Sequence, residues 1–560
     1  MSSKIQIIIP PLRKTTTIYP PYGAMYIASS LLEDGHDVQI INVDAERINH
    51  SEVCERVRKY MPDVVGFSAT VATSYKYVKE ISRIINERFP HVVIIVGGGL
   101  AAAAEVVLTN TSVTVVVAGE GDITVKEVVE RIEKNGNLSG IQGIVYKDGD
   151  KIIKTEPRTL IKKLDTLKYP SFDLVDMNVY MKNIFDVIGG FPGYKDMGYD
   201  RRFYEPHRNT RMLRVPISRG CFARCSFCYR HMLGIRHFSF DYIFDFIEYL
   251  SDRYNTNQFS FGDECFAPNK VWNWKFIDNY KKRKLDIMFQ VLGMRVDTVD
   301  RDILKAYKDI GCWMIEYGFE SGSQRMLDVI DKRVRVEQNV NTALWTKEAG
   351  IFTSPTLVLG MPGESTETIY ETIDALKRMN YGSRVWQSTF ALAMPGAPLY
   401  EYAKLKGLIT DEDNYLESIN DLNASDVINL DAFINFTDEP KEVVSNWPTL
   451  ILKELQKHFS KNIIIDYYLK ILFIEKIRNL YKRFKKDGIL PTLKVLFKQI
   501  ISKIFLLSRR LNRHMEAKRT EGTKRKTHDI RFWKEIDNTE KEIIRGESLR
   551  KVISRIQGEG

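Results

Sequence analysis

The chain is poor in cysteine, with six among 560 residues. That scarcity excludes a disulfide-stapled scaffold. No uninterrupted apolar run reaches about 18 residues, so no membrane-spanning helix is predicted. The N-terminal MSSKIQIIIPPLRK holds too short an apolar run to read as a signal peptide. A cytoplasmic location is therefore expected. A uniformly basic surface is missing as well. Net charge is +10, yet residues 476–530 alone carry 17 Lys/Arg against 4 Asp/Glu, which leaves the remainder slightly acidic. Lys524-Arg525-Lys526 lies in a polar stretch without aromatic stacking positions, which argues against nucleic acid as a partner. Length and 44% hydrophobic content fit about three domains with ample cores.

Against that scarcity, Cys221, Cys225 and Cys228 fall at CxxxCxxC spacing within LRVPISRGCFARCSFCYR, residues 213–230. Thiolates are soft ligands that suit zinc, copper(I) or iron–sulfur clusters. A structural zinc site needs four ligands, and the next cysteine, Cys265, is far along the chain. Three thiolates suit a [4Fe–4S] cluster with one iron open to a small molecule. Val215–Ser218 reads as a buried strand, Gly220 opens a loop, and Phe227 stands between the last two ligands. This arrangement resembles the radical S-adenosylmethionine (SAM) superfamily, whose signature has an aromatic there. The resemblance implies a cluster loop after the first strand of a partial (β/α) barrel, with the active site at the barrel's C-terminal mouth.

Residues 1–140 alternate strands and helices: Lys4–Ile9, Tyr22–Asp34, Val38–Val43, Ser51–Tyr60, Val64–Phe67, Ser74–Phe89, Val92–Val96, Ala101–Leu108, Val113–Val117 and Ile123–Lys134. That alternation predicts a doubly wound, flavodoxin- or Rossmann-like parallel sheet with ligands at the carboxyl ends of its strands. Those ends carry Ser68 and Thr70, then Gly97, Gly98 and Gly99, then Gly119, Glu120 and Gly121. Glycines there allow positive φ and close approach to a bulky ligand. The segments PPYGAMYIASSL, GFSATVATS, IIVGGG and VVVAGEGD resemble a cobalamin-binding domain placed ahead of a radical SAM domain; a flavodoxin-like module for another ligand is the alternative. The loop after the first strand, PPLRKTTTIYPPYG, lacks the D-x-H-x-x-G histidine of many such domains, and His36 reads as an ordinary loop residue. The resemblance thus implies cobalamin bound without a histidine ligand.

Residues 141–212 read as a connector that begins with a hairpin around Asp148-Gly149. Residues 213–410 then supply strands at Val215–Ser218, Gln258–Phe261, Ile287–Leu292, Trp313–Phe319, Thr356–Leu359 and Val385–Ala391, separated by helices, which fits a six-unit partial barrel. By the resemblance, Gly262, Asp263 and Glu264 face the SAM ammonium. Arg295 faces its carboxylate, Glu320 and Ser321 the ribose, and Gly360 and Glu364 the adenine. Tyr229, Arg230 and His231 would line the substrate space. Cys54, Cys265 and Cys312 read as buried small hydrophobes, with a catalytic role for Cys265 as the alternative.

Residues 411–560 form a mainly helical, basic region. Leu490, Leu493, Leu496, Phe497, Ile500, Ile504 and Leu507 share one face, with lysines and arginines interleaved. That pattern reads as a membrane-surface helix on the inner face, or a helix packed on the barrel, and hints at a hydrophobic small-molecule substrate. The combined resemblance implies a cobalamin-dependent radical SAM C-methyltransferase fed by a reductant such as flavodoxin or ferredoxin. Cyclisation or oxidation of a lipid or tetrapyrrole is the alternative, and a sensor with a vestigial cluster is the non-enzymatic rival. A methylthiotransferase is disfavoured, because the N-terminal region has one cysteine, Cys54.

Overall fold

Apolar segments of the N-terminal region pair into a parallel sheet in a computed structural model: β1 (Lys4–Ile9), β2 (Asp37–Asn42), β3 (Val64–Ser68), β4 (Val93–Gly97) and β5 (Val115–Val117), with β6 (Ile144–Asp148) and β7 (Lys151–Lys154) added antiparallel. The structure describes residues 2–13, 19–134, 136–189, 200–230, 232–382, 385–420, 422, 430, 433–459 and 548–557. The chain divides into two units, Met1–Leu452 with Glu542–Gly560, and Lys453–Lys541. Of the second unit, residues 453–459 are described. Both sheets and the cysteine loop belong to the first.

Strand order is β2-β1-β3-β4-β5-β6-β7. Strands such as β1 are almost continuously apolar because helices cover both faces. Helices Tyr22–Glu33 and Gly121–Glu133 pack around Ile5, Ile7, Val64 and Ile95. Helices His50–Tyr60, Tyr75–Arg88 and Ala104–Asn110 pack around Ile8, Val65 and Val96 on the other face. Winding reverses between β1 and β3, where such sheets open a crevice at their carboxyl ends.

The second sheet begins with β8 (Lys182–Asn183), antiparallel to β9 (Arg211–Val215). The chain then leaves it for a small ribbon, β10 (Ser218–Arg219) against β11 (Arg236–His237). It returns as β12 (Gln258–Gly262), β13 (Met288–Met294), β14 (Cys312–Glu320), β15 (Thr356–Leu359) and β16 (Gln387–Phe390). The order β16-β15-β14-β13-β12-β9-β8 is a half-barrel of six parallel strands with one antiparallel edge. Three of the intervening helices start on side-chain caps: Ser239 accepts from the Tyr242 N–H, Asn269 from Trp272 and Asp300 from Ile303. Register shifts at Val291/Met294 and Gly318/Glu320 lie at the carboxyl ends of β13 and β14. Such bulges re-aim side chains at a sheet's rim.

Three sequence expectations shift. The first barrel strand was expected at Val215–Ser218 but ends at Val215, because Pro216 has no N–H to donate to a ladder. The hairpin expected in the connector instead extends the first sheet, and covers the bare edge of the apolar three-residue β5. The helix expected from Ala101 starts at Ala104, after a 3₁₀ turn over Gly99–Ala103. The amphipathic stretch from Leu490 to Leu507 lies outside the described residues. Among those described, no helix is long and apolar enough to cross a membrane.

Candidate functional site

The carboxyl rims of the two sheets face one cavity of about 390 Å³. From the first sheet it is lined by Ser68, Thr70, Gly97, Gly98, Gly119, Glu120 and Gly121; from the second by Gly262, Asp263 and Glu264. Two sets of residues chosen separately along the sequence therefore share one space. Gly98 has φ +88°, and a Cβ there would stand 2.6 Å from the Ala69 carbonyl oxygen. Gly119 has φ +92° and open space where its Cβ would be. Gly98 is thus required by its own packing on the Ala69 carbonyl, while Gly119 leaves bare backbone where a bulky ligand such as a corrin ring can lie close. His36 sits at the amino end of β2, on the opposite edge, where its Nδ1 accepts from the Ser3 N–H at 3.3 Å. Among the described residues no histidine lines the cavity.

The cysteine loop is braced from two sides. The Ser226 N–H donates to the Ile330 carbonyl at 2.9 Å, and the Leu399 N–H to the Ser226 carbonyl at 2.9 Å. All six cysteines are free thiols; Cys221 and Cys225 are buried and Cys228 is exposed. A hydrogen bond with Cys265 draws the Cys221 thiol down, and Ala223 N–H adds to this at 3.4 Å from Sγ. Burial pushes Cys225 up. Three free thiols on one braced loop are the donor set an iron–sulfur cluster takes. Among the described residues no three His, Cys, Asp or Glu side chains converge on a single-ion site.

The proposed SAM contacts divide into two groups. Glu264 is exposed and lines the cavity. Arg295 and Glu320 are buried near the thiols, and both act on Cys225 electrostatically. Arg295 is paired with Asp297 at 2.8 Å, and Glu320, at φ +63°, with Lys332 at 2.8 Å. Lys332 had no sequence signal, being a lone lysine after a short helix. The other group supports backbone. Asp263 Oδ1 accepts from Ile217 N–H (2.9 Å), Ser218 N–H (2.7 Å) and Ser218 Oγ (2.8 Å), which fixes the approach to the cysteine loop. Burial raises Asp263 to about 7 against those donors. Glu364 accepts from Gly360 N–H at 2.6 Å and is likewise raised to about 7 by burial. Ser321 Oγ accepts from the Ser323 N–H at 3.1 Å.

Glu120 joins the two domains. Arg219, next to the loop glycine Gly220, bonds Glu120 at 3.0 Å and Asp122 at 2.7 and 3.0 Å; Arg236 on β11 bonds Glu120 at 2.9 Å. Helix Leu549–Ile556 also reaches the loop: Arg550 Nε donates to the Arg224 carbonyl at 2.8 Å. No local pattern foretells a contact 326 residues away. Phe227, Cys228 and Tyr229 line a second cavity of about 370 Å³ together with Gly99. His231 lies outside the described residues.

Residues 10–129 match the family described as B12 binding domain, and residues 215–376 the Radical SAM superfamily. An uncharacterized methyltransferase of Pyrococcus horikoshii is 30% identical over 422 residues, covering 72% of this chain and 84% of that protein. The anaerobic magnesium-protoporphyrin IX monomethyl ester cyclase of Cereibacter sphaeroides is 26% identical over 365 residues, 63% of this chain and 56% of the cyclase. The radical SAM methyltransferase TsrM of Kitasatospora setae, solved with cobalamin and a [4Fe–4S] cluster, shares the fold at 16% identity with TM-score 0.54, covering 72% of this chain and 75% of TsrM. With a cobalamin-type sheet and a radical SAM half-barrel opening on one cavity, the chain belongs to the radical SAM enzymes that carry a B12-binding domain.

Proposed function

We propose that this enzyme transfers a methyl group to an unactivated carbon of a small molecule. The observation that carries the reading is the single cavity that the glycine floor of the first sheet and the Gly262-Asp263-Glu264 rim of the second share. Cys221, Cys225 and Cys228 would hold the [4Fe–4S] cluster, and the Ser68–Thr70, Gly97–Gly99 and Gly119–Gly121 turns would hold cobalamin without a histidine ligand. Bound together, these groups supply one-electron cleavage of SAM and a methyl carrier. Per turnover, R–H, two SAM cations and two electrons from a reductant give R–CH₃, methionine, 5′-deoxyadenosine and S-adenosylhomocysteine.

The chain's own residues position and exclude. Glu264 offers a carboxylate to the SAM ammonium. Arg295 and the Glu320–Lys332 pair place fixed charges beside the thiols, and Asp263 holds the backbone entering the loop. The working division is a cobalamin module over 1–140, a connector over 141–212, a barrel over 213–410 and a C-terminal region over 411–560, with the hairpin packed on the first module. Anaerobic turnover of the reconstituted enzyme with methyl-labelled SAM tests the reading: labelled product, heavier by one CH₂, is expected. Unlabelled product formed alongside 5′-deoxyadenosine would overturn it. It would favour cyclisation or oxidation, the reading to which the likeness to the cyclase lends weight.

A further inference from the structure

The outward side of the cysteine loop carries a crowd of like charge. Phe222, Ala223 and Arg224 separate Cys221 from Cys225. The Ala223 carbonyl accepts from Arg230 Nη1, and the Arg224 carbonyl accepts from Arg550 Nε at 2.8 Å. The Arg224 guanidinium reaches Asp331 at 3.8 Å, and Arg333 reaches the same carboxylate at 2.8 Å. Among the described residues, Asp331 is the one carboxylate paired with any of these four arginines. The Arg224 and Arg333 side chains are 54% and 60% exposed, whereas Asp331 is mostly covered. The crowding is felt by Arg550: burial lowers its pKa, and the Arg230 and Arg224 charges lower it further. Outside residues 476–530 the chain is slightly acidic, so this concentration of positive charge is local. Like charges held together at a surface raise the energy of the free protein, and an anionic partner relieves that repulsion.

We propose that this arginine cluster is the docking surface of an acidic one-electron carrier protein. The inference rests on the proposed function for one thing, that turnover consumes two electrons from a reductant. A carrier must bring its redox group close to the three thiols, and the segment Phe222–Arg224 is the covalent neighbour of two of them. Phe222, 39% exposed, gives the contact an apolar centre. Its ring centroid lies 5.3 Å from the guanidinium of Arg295, a buried residue that acts on Cys225. An aromatic anchor among arginines is a composition that interfaces favour. Arginine also meets surface carboxylates through paired N–H donors, which lysine cannot do. Electron-transfer encounters bury little area, so a compact patch is enough. In the step itself no bond forms or breaks. The carrier loses one electron and the enzyme gains it; two such transfers supply one turnover.

The test uses full-length, anaerobically reconstituted protein, with flavodoxin, an acidic one-electron carrier, as the probe. Calorimetry measures binding, and stopped-flow absorbance measures reduction of the iron chromophore by flavodoxin hydroquinone. Binding is expected at low ionic strength and should weaken steeply as salt is added. Arg333→Glu should weaken it about fivefold and Arg224→Glu/Arg333→Glu at least about tenfold, while Arg224→Lys/Arg333→Lys stays within about twofold of wild type. Reduction by flavodoxin should slow in parallel. Reduced methyl viologen, a small cation that needs no docking surface, should reduce Arg333→Glu no more slowly than wild type. If the double variant does not hold iron, Arg333→Glu and Arg333→Gln, which lie off the cysteine loop, give the same readout. Flavodoxin affinity unchanged by these substitutions, in protein with wild-type iron content, would overturn the inference. So would binding indifferent to salt, or equal slowing with methyl viologen, which would place the defect at the thiols. So would anionic phospholipid vesicles held through Arg224 and Arg333 by protein that forms no flavodoxin complex. Failure of the methyl-transfer reading looks different: SAM is cleaved without label in the product, while flavodoxin binding responds to the substitutions as described.

Discussion

Replacing Arg219 with methionine removes the cation that ties the cysteine loop to the first sheet. Its guanidinium bonds Asp122 through both nitrogens and Glu120 through one, and the side chains are 16%, 5% and 3% exposed respectively. Burial alone would lower the Arg219 pKa, but hydrogen bonds to Asp122 and Glu120 raise it on balance. Glu120 keeps Arg236 in the variant. Asp122 loses its only ion pair among the described residues, though its place in the first turn of helix Gly121–Glu133 gives partial relief. Stranding a buried charge costs about 3–5 kcal/mol, so the lower end, about 3 kcal/mol, is expected. Removing both partners in Arg219→Met/Asp122→Leu should recover most of that, because a well-packed apolar pair often equals a buried ion pair. Urea unfolding, followed by tryptophan fluorescence and by circular dichroism, measures both variants. Hydroxocobalamin titration should show weaker binding in the single variant and partial recovery in the double. If the single variant loses less than about 0.5 kcal/mol, the scale of an exposed pair, or if the double loses more than the single, the clamp argument fails.

Three further outcomes are expected. Gly98→Ala combines positive φ with a Cβ 2.6 Å from the Ala69 carbonyl, and the resulting strain should lower hydroxocobalamin affinity about tenfold by absorbance titration. Glu364, raised by burial to about 7 from an unfolded value near 4, stabilises the fold fully below about pH 4 and loses that contribution as pH rises through 7. Glu364→Gln should therefore flatten the fall in urea midpoint between pH 5 and 8, and an unchanged slope would count against the raised value. Arg550→Ala removes the bond to the Arg224 carbonyl. It should speed iron loss to a chelator several-fold with little change in global stability, because only one partly exposed hydrogen bond is lost.

Much of the scaffold was legible because its signals are local. Short apolar runs marked the strands of both sheets, and helical spacing of apolar residues marked the helices between them. The misplaced first barrel strand came from reading apolar character through Pro216, whose missing N–H outweighs its neighbours' preference for the sheet. Glycines at strand ends were legible as a class. The work of individual carboxylates was not. Glu120, Asp263 and Glu364 look alike as acidic residues beside glycines, yet one joins two domains and two hold backbone turns.

The order of amino acids by itself determined the soft-ligand triplet, the two α/β modules and the strand ends that carry polar residues, because each depends on spacing within one segment. Tertiary structure alone decided that the two rims share a cavity, that Lys332 pairs with Glu320, that Arg219 and Arg236 meet Glu120, and that Arg550 touches the cysteine loop. Partners across such distances are chosen by how whole sheets and helices pack. The local pattern sets which face an element buries, and it leaves open what that face meets.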